Sequence, residues 1–327
     1  MGIHLRQTLI KARRRGEARL TQVAAVTAAD TIYQIDRISE EAIVEWFEAH
    51  WPAAWPVQVV MEGVEEDEPL TFPLGTPVGS TRLKCILDPI DGTRNLMYDK
   101  RPAWGLAGIA VQRGEKTNLQ NVFVAVMTEL PTSNQGTVEQ WSGILDRSER
   151  RGAASTFGTA VELHSGQTWK IAPRPSQADH CRHGFASLVK FFPEGKELTA
   201  RIEERLWREL YGDDKGQGPL VFEDQYTTTG GQIHELLVGH DRFIGDLRPL
   251  VNRKLGVTSA LVCHPYDICT ELILRAAGGV VEHPLGGPVR VPLDTISPVA
   301  WVGYANQRLA RKIRPVLRRI LAAEDIV

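Results

Sequence analysis

The string Asp88-Pro89-Ile90-Asp91-Gly92-Thr93-Arg94-Asn95 sets two carboxylates three residues apart around a proline and ahead of a glycine. It follows the apolar run ending at Leu87, so Asp88 is expected at the carboxyl end of a strand, kept out of helical conformation by Pro89. Gly92 permits a tight turn and lets another atom approach the backbone. Two carboxylates converging across such a turn suit a hard, oxygen-seeking cation such as Mg²⁺, with the Ile90 carbonyl as a further ligand. The N–H groups around Gly92 and Thr93 can hold a phosphate where a helix or turn begins. A plain turn with Thr93 as helix cap explains an isolated Asp-Gly, but not the whole string.

The patterning predicts helices over 3–26 and 37–49, then a strand at Val57–Met61. An acidic loop follows, with Glu62, Glu65, Glu66, Asp67 and Glu68. Strand-like runs return at Leu83–Asp88, Gly105–Gln112, Asn121–Thr128 and Gln140–Leu145. The second half alternates: strand at Phe185–Val189, helix over Gly195–Leu210, helix from Gly230-Gly231 to Val238, buried strand at Ser259–Cys263. A helix over Tyr266–Ala277 is stopped by Gly278-Gly279, and strand Val299–Gly303 precedes a closing helix over Asn306–Leu321. This implies an α+β lobe over 1–178 carrying the Asp-Pro-Ile-Asp-Gly-Thr string and an α/β lobe over 179–327, with polar Arg174–His183 at the seam.

Composition narrows the function. The 327 residues are 43% hydrophobic and 24% charged, with 38 Lys+Arg against 40 Asp+Glu. That balance gives no general drive toward nucleic acid or anionic lipid. Lys11, Arg13, Arg14, Arg15 and Arg19 read as the solvated face of a helix. Cys85, Cys181, Cys263 and Cys269 have neither disulfide-framework nor CxxC spacing. No apolar stretch approaches the roughly 18 residues of a membrane span, and no leader pattern is evident, so a cytoplasmic protein is expected. Walker, GxGxxG and GxSxG motifs are absent.

The eight-residue string resembles the first signature of the inositol monophosphatase family, in the superfamily of Mg²⁺-dependent, lithium-sensitive phosphatases that includes fructose-1,6-bisphosphatases. A second family signature, an aromatic-Asp pair opening a helix that ends in Ala-Gly-Gly, is similar to Tyr266-Asp267 … Ala276-Ala277-Gly278-Gly279, with Tyr where Trp is usual. The resemblance implies a layered α-β-α-β-α sandwich of the sugar-phosphatase type and a homodimer. It also implies Asp267 as a metal ligand, where a helix cap is the plainer role. The family's acidic-loop ligand falls on Glu62, at the strand end, or on Glu65; Glu62 is preferred as the more rigidly held. Asp36 occupies the place of an Asp that pairs with the Thr of the signature, here Thr93. Gly230 lies at a turn that faces substrate, and Asp246 and Arg248 near the contacts to the alcohol moiety.

Charge bookkeeping then gives the chemistry that the resemblance implies. Glu62, Asp88, Asp91 and Asp267 balance two Mg²⁺, and a phosphate dianion accommodates a third. Thr93, oriented by Asp36, would accept or relay the proton of an attacking water. The expected activity is hydrolysis of a small sugar or polyol phosphate. A fructose-1,6-bisphosphatase is the runner-up, followed by a 3′-phosphoadenosine 5′-phosphate or histidinol-phosphate phosphatase. A non-catalytic relative that binds metal or a phosphorylated ligand is the reading from another class.

Overall fold

Residues 1–14, 23–26, 31–64, 69–146, 153–212, 220–259 and 261–326 are described in a computed structural model. Helix α1 (Gly2–Arg14) leads to an antiparallel ribbon of β1 (Val23–Val26) and β2 (Thr31–Tyr33), then helix α2 (Gln34–His50). An eight-stranded sheet follows: β3 (Val57–Met61), β4 (Leu70–Phe72), β5 (Leu83–Asp91), β6 (Ala103–Val111), β7 (Val122–Leu130), β8 (Thr137–Leu145), β9 (Ala154–Glu162) and β10 (Thr168–Ile171). The short helix α3 (Thr93–Met97) sits between β5 and β6. Its spatial order is β10-β9-β8-β7-β6-β5-β3-β4, antiparallel throughout except for β3 beside β5.

The second sheet holds β11 (Gly184–Leu188), β12 (Val221–Phe222), β13 (Asp241–Asp246), β14 (Val280–Glu282) and β15 (Trp301–Tyr304), in the order β12-β11-β13-β15-β14. Its helices are α4 (Lys196–Tyr211), α5 (Thr229–Val238), α6 (Arg248–Leu255), α7 (Pro265–Ile268), α8 (Glu271–Ala276) and α9 (Gln307–Ala323). α1 and α2 pack on the outer face of the large sheet. α5, α7 and α8 fill the space between the sheets, and α4 and α9 cover the outer face of the small one. The result is the layered α-β-α-β-α sandwich expected from the sequence.

Local chemistry explains the layers. In α9, Leu309, Ile313, Leu317, Ile320 and Leu321 are buried at helical spacing, and Asn306 caps the first turn by accepting from Arg308 and Leu309 N–H at 2.8 and 3.0 Å. One core runs continuously from Trp104 and Trp141 of the large sheet through Ile273 to Phe243 and Trp301 of the small one. A second core joins α1 and α2 to β3 and β5.

Three expectations are corrected. The helix predicted over 3–26 ends at Arg14, and Val23–Val26 pairs with Thr31–Tyr33 as a strand. Val-Ala-Ala-Val is too short and apolar a run for periodicity to separate strand from helix; residues 15–22 lie outside the described residues, with Arg15 and Arg19. Ser259–Cys263 is no strand among the described residues there, because side chains take its backbone groups: Ser259 Oγ accepts the Leu261 N–H at 3.2 Å and Arg248 donates to the Leu261 carbonyl. The helix over Tyr266–Ala277 is interrupted at Cys269-Thr270, where Cys269 lies against Gly108 of β6 so tightly that an added methyl there would meet its carbonyl at 3.1 Å. Its glycine stop holds, with Gly278 at φ 93°.

Candidate active site

Strand geometry alone would separate Asp88 from Asp91, since residues an odd number apart face opposite sides of a sheet. The pairing with β6 shows how they converge: Asp88 sits opposite Leu106 and Asp91 opposite Trp104, so three steps on β5 answer two on β6. The extra residue is a β-bulge at Pro89-Ile90, and it turns both carboxylates toward one face. The Ile90 N–H donates to Asp88 Oδ1 at 2.9 Å, fixing that carboxylate. Gly92 then takes a left-handed conformation (φ 98°), and a methyl placed there would lie 2.2 Å from the Thr228 methyl. Only glycine satisfies both the angle and the approach.

Asp267 arrives from α7, its Oδ2 accepting the His264 N–H at 2.6 Å. Asp88, Asp91 and Asp267 each offer an oxygen, all within 4.8 Å of one another, and this cluster can hold a divalent cation. Asp88 and Asp91 are buried. Asp88 is pushed well above the usual carboxylate range by burial and by the charges of Glu62, Asp91 and Asp267. Burial and Asp267 push Asp91 up in the same way, against the opposing pull of the Gly230 N–H. Burial raises Asp267 to about 7, opposed by the His264 N–H and the Arg248 charge. Crowded, buried carboxylates of one sign are costly in water-poor surroundings, and hard oxygen donors match Mg²⁺ or a similar ion, so the residues present fit such a metal.

Of the other residues singled out in the sequence, Glu62 follows β3, its N–H donating to the Leu87 carbonyl at 3.3 Å, and its carboxyl is hydrogen-bonded to Asp88. Glu65 lies outside the described residues. Thr93 Oγ1 donates to Asp36 Oδ1 at 3.0 Å and lies 3.1 Å from the Ile90 carbonyl. Asp36 and Thr93 are thus brought together across 57 residues of chain. Gly230 turns its N–H onto Asp91 Oδ2 at 2.5 Å and is buried, its Cα facing Leu106 and that same carboxylate. Asp246 is fully buried and closes on Arg248.

Sequence reading missed three contributors, Glu40, Thr228 and His264. Glu40 of α2 touches Gly63 of the acidic loop, and its carboxyl is raised to about 7 by burial and by Asp36. Thr228 caps α5 through its Oγ1, which accepts from Gly231 N–H at 2.8 Å, while its methyl fits against Gly92. His264 and Tyr266 stack with ring centroids 5.3 Å apart beside Asp267. Glu40 had a signal in its spacing, since i and i+4 on a helix share a face with Asp36; the other two depend on tertiary contacts.

Fold and site together define a layered α-β-α-β-α sandwich with an acidic, metal-competent cluster at the carboxyl end of β5. No protein-family description matches the sequence, and no curated protein matches it. Solved structures do share the fold. The extragenic suppressor protein suhB of Bartonella henselae superposes with a TM-score of 0.58 at 17% identity, over 96% of this chain and 94% of that one. Fructose-1,6-bisphosphatase of Leishmania major gives 0.64 at 13% identity, over 98% and 91%. Inositol monophosphatase II of Staphylococcus aureus gives 0.54 at 14% identity, over 98% and 94%.

Proposed function

We propose that the chain is a Mg²⁺-dependent phosphomonoesterase acting on a small phosphorylated substrate. The observation that carries this reading is the cluster of Asp88, Asp91 and Asp267, with oxygens within 4.8 Å of one another, beside the hydrogen-bonded Thr93–Asp36 pair. Two Mg²⁺, held by Glu62, Asp88, Asp91, Asp267 and the Ile90 carbonyl, with a third arriving with substrate, would supply Lewis acidity at the phosphoryl oxygens and lower the pKa of the attacking water.

The remaining roles belong to the chain. Thr93 has a single hydroxyl proton facing Asp36 and the Ile90 carbonyl, which leaves its oxygen lone pairs to accept a hydrogen bond from water. A proton taken from that water passes through Thr93 to Asp36 as the water oxygen bonds to phosphorus in line with the breaking P–O bond of the ester, and the departing alkoxide takes a proton from solvent. The turn at Gly92-Thr93 presents backbone N–H groups to a phosphate. The Gly230 N–H holds Asp91 in place at the turn facing the site. The Thr93–Asp36 bond favours a working enzyme over a non-catalytic binder, because it supplies the group that such a binder does not need.

A cytoplasmic location and a homodimer belong to the same proposal. In support of the location, the four cysteines are free and buried.

The test is phosphate release, with and without Mg²⁺, from inositol 1-phosphate, fructose 1,6-bisphosphate, histidinol phosphate and 3′-phosphoadenosine 5′-phosphate. Asp91→Asn is expected to remove nearly all turnover while leaving the protein folded by circular dichroism. Substantial turnover by that variant, or turnover indifferent to Mg²⁺, would overturn the reading.

A further inference from the structure

Beside the acidic cluster stands a side-chain arrangement that phosphate chemistry leaves unused. Asp246 ends β13 and Phe191 lies just past β11; these two strands run parallel, and ligands in open α/β sheets bind outside such carboxyl ends. Asp246 is fully buried, and both of its oxygens are engaged by Arg248. Oδ1 takes the Arg248 backbone N–H at 3.1 Å and Nε at 2.9 Å, while Oδ2 takes Nε at 3.1 Å and Nη2 at 2.5 Å. Three N–H groups of Arg248 engage both oxygens, the single Nε–H being shared between them, and with the residue fully buried no carboxylate oxygen is presented to a substrate hydroxyl.

Arg248 is the group that remains to meet a ligand. Its Nη1 donates to the Leu261 carbonyl at 2.8 Å on the exposed side, and these bonds leave a second N–H on Nη1 and on Nη2. Its guanidinium lies 4.9 Å from the Phe191 ring centroid and 5.4 Å from that of Phe192, which fixes its plane. Leu261, whose carbonyl Arg248 holds, lies three residues before His264, whose N–H donates to Asp267 Oδ2 at 2.6 Å, so Arg248 is tied to the segment that delivers Asp267 to the cluster. This wall therefore offers N–H donors and aromatic carbon, with Asp246 buried behind them. A polyol hydroxyl needs an acceptor for its proton, whereas a carboxylate or phosphate is an acceptor only.

Resting on the phosphatase reading, we infer that Arg248 selects phosphate monoesters bearing a second anionic group over neutral polyol phosphates, with Asp246 as its positioning residue. Two matched pairs test this and separate the two kinds of anion: 3-phosphoglycerate against glycerol 3-phosphate, and fructose 1,6-bisphosphate against fructose 1-phosphate. The full-length protein with Mg²⁺ should favour the anionic member of at least one pair by about tenfold or more in kcat/KM, the effect of one charge-assisted bond. Arg248→Gln should collapse that ratio toward one. Because this change strands buried Asp246, Asp246→Asn/Arg248→Gln is measured alongside, and its ratio should collapse too.

A preference for the neutral members, or a fall in both rates that leaves the ratio unchanged, overturns the inference and makes Arg248 a structural clip. Absence of Mg²⁺-dependent turnover for all four esters would count against the phosphatase reading itself. Titration calorimetry of the same esters then judges the subsite alone: tighter binding of the anionic member, lost in Arg248→Gln, upholds it, and equal binding overturns it.

Discussion

Thr93 has one hydroxyl proton and two oxygens within reach of it, Asp36 Oδ1 at 3.0 Å and the Ile90 carbonyl at 3.1 Å. If Thr93 and Asp36 act together on the water's proton, removing either should damage the chemical step rather than substrate binding. Thr93→Ala is expected to lower kcat by about 10²- to 10⁴-fold with little change in KM, the range for a positioned acid–base group. Thr93→Ser should restore much of the loss, since it keeps the hydroxyl. Asp36→Asn should move kcat in the same direction, and the double variant Asp36→Asn/Thr93→Ala should be no slower than Thr93→Ala alone. Steady-state kinetics on the four variants decides it. Losses that multiply would mean the two side chains serve separate purposes.

At the scale of elements, the bulge in β5 and the left-handed turn after it convert two carboxylates of one strand into one site. Gly92→Ala is expected to destabilise the fold by more than about 1 kcal/mol from left-handed strain alone, before the collision with the Thr228 methyl is counted. Thr228→Ser removes that methyl while keeping the oxygen that caps α5, so Gly92→Ala/Thr228→Ser should recover the steric part and not the strain. Urea unfolding of the single and double variants measures both; no recovery in the double variant would refute the contact. This turn also marks how much the sequence disclosed. Asp88, Asp91, Gly92 and Thr93 were legible because proline, glycine and acid at fixed spacing encode local geometry. The bulge was not, because it is defined by what β6 sets opposite. Arg248 illustrates the same limit: the family resemblance put it near a substrate contact, but its clasp on buried Asp246 and the flanking Phe191 and Phe192 rings follow from tertiary placement. The strand expected at Ser259–Cys263 failed for a related reason, since an arginine distant in sequence takes one of its carbonyls.

For the molecule as a whole, the acidic cluster makes stability, pH and metal one linked quantity. Burial raises Asp88 and Asp91 well above their unfolded range, and Asp267 to about 7. Glu40 and Asp241, also largely through burial, rise to about 7 as well. A carboxyl whose pKa is raised on folding is better protonated in the native state than in the unfolded chain. Its stabilising contribution is complete below the unfolded value near 4 and is lost as pH rises through the folded one. The metal-free protein should therefore lose stability from Asp267, Glu40 and Asp241 between about pH 4 and pH 7, and from Asp88 and Asp91 as pH rises further. A divalent cation reverses the sign, because it binds the deprotonated carboxylates of the native state and not those of the unfolded chain. At a hundredfold excess over its dissociation constant such an ion adds about 2.7 kcal/mol. Calorimetric scans with EDTA and with Mg²⁺ should give a gain in Tm that is small at pH 5 and several degrees at pH 8, with protons released on binding near pH 6. In Asp91→Asn the gain should shrink at every pH, and a gain indifferent to pH or to that substitution would detach the metal from these carboxylates.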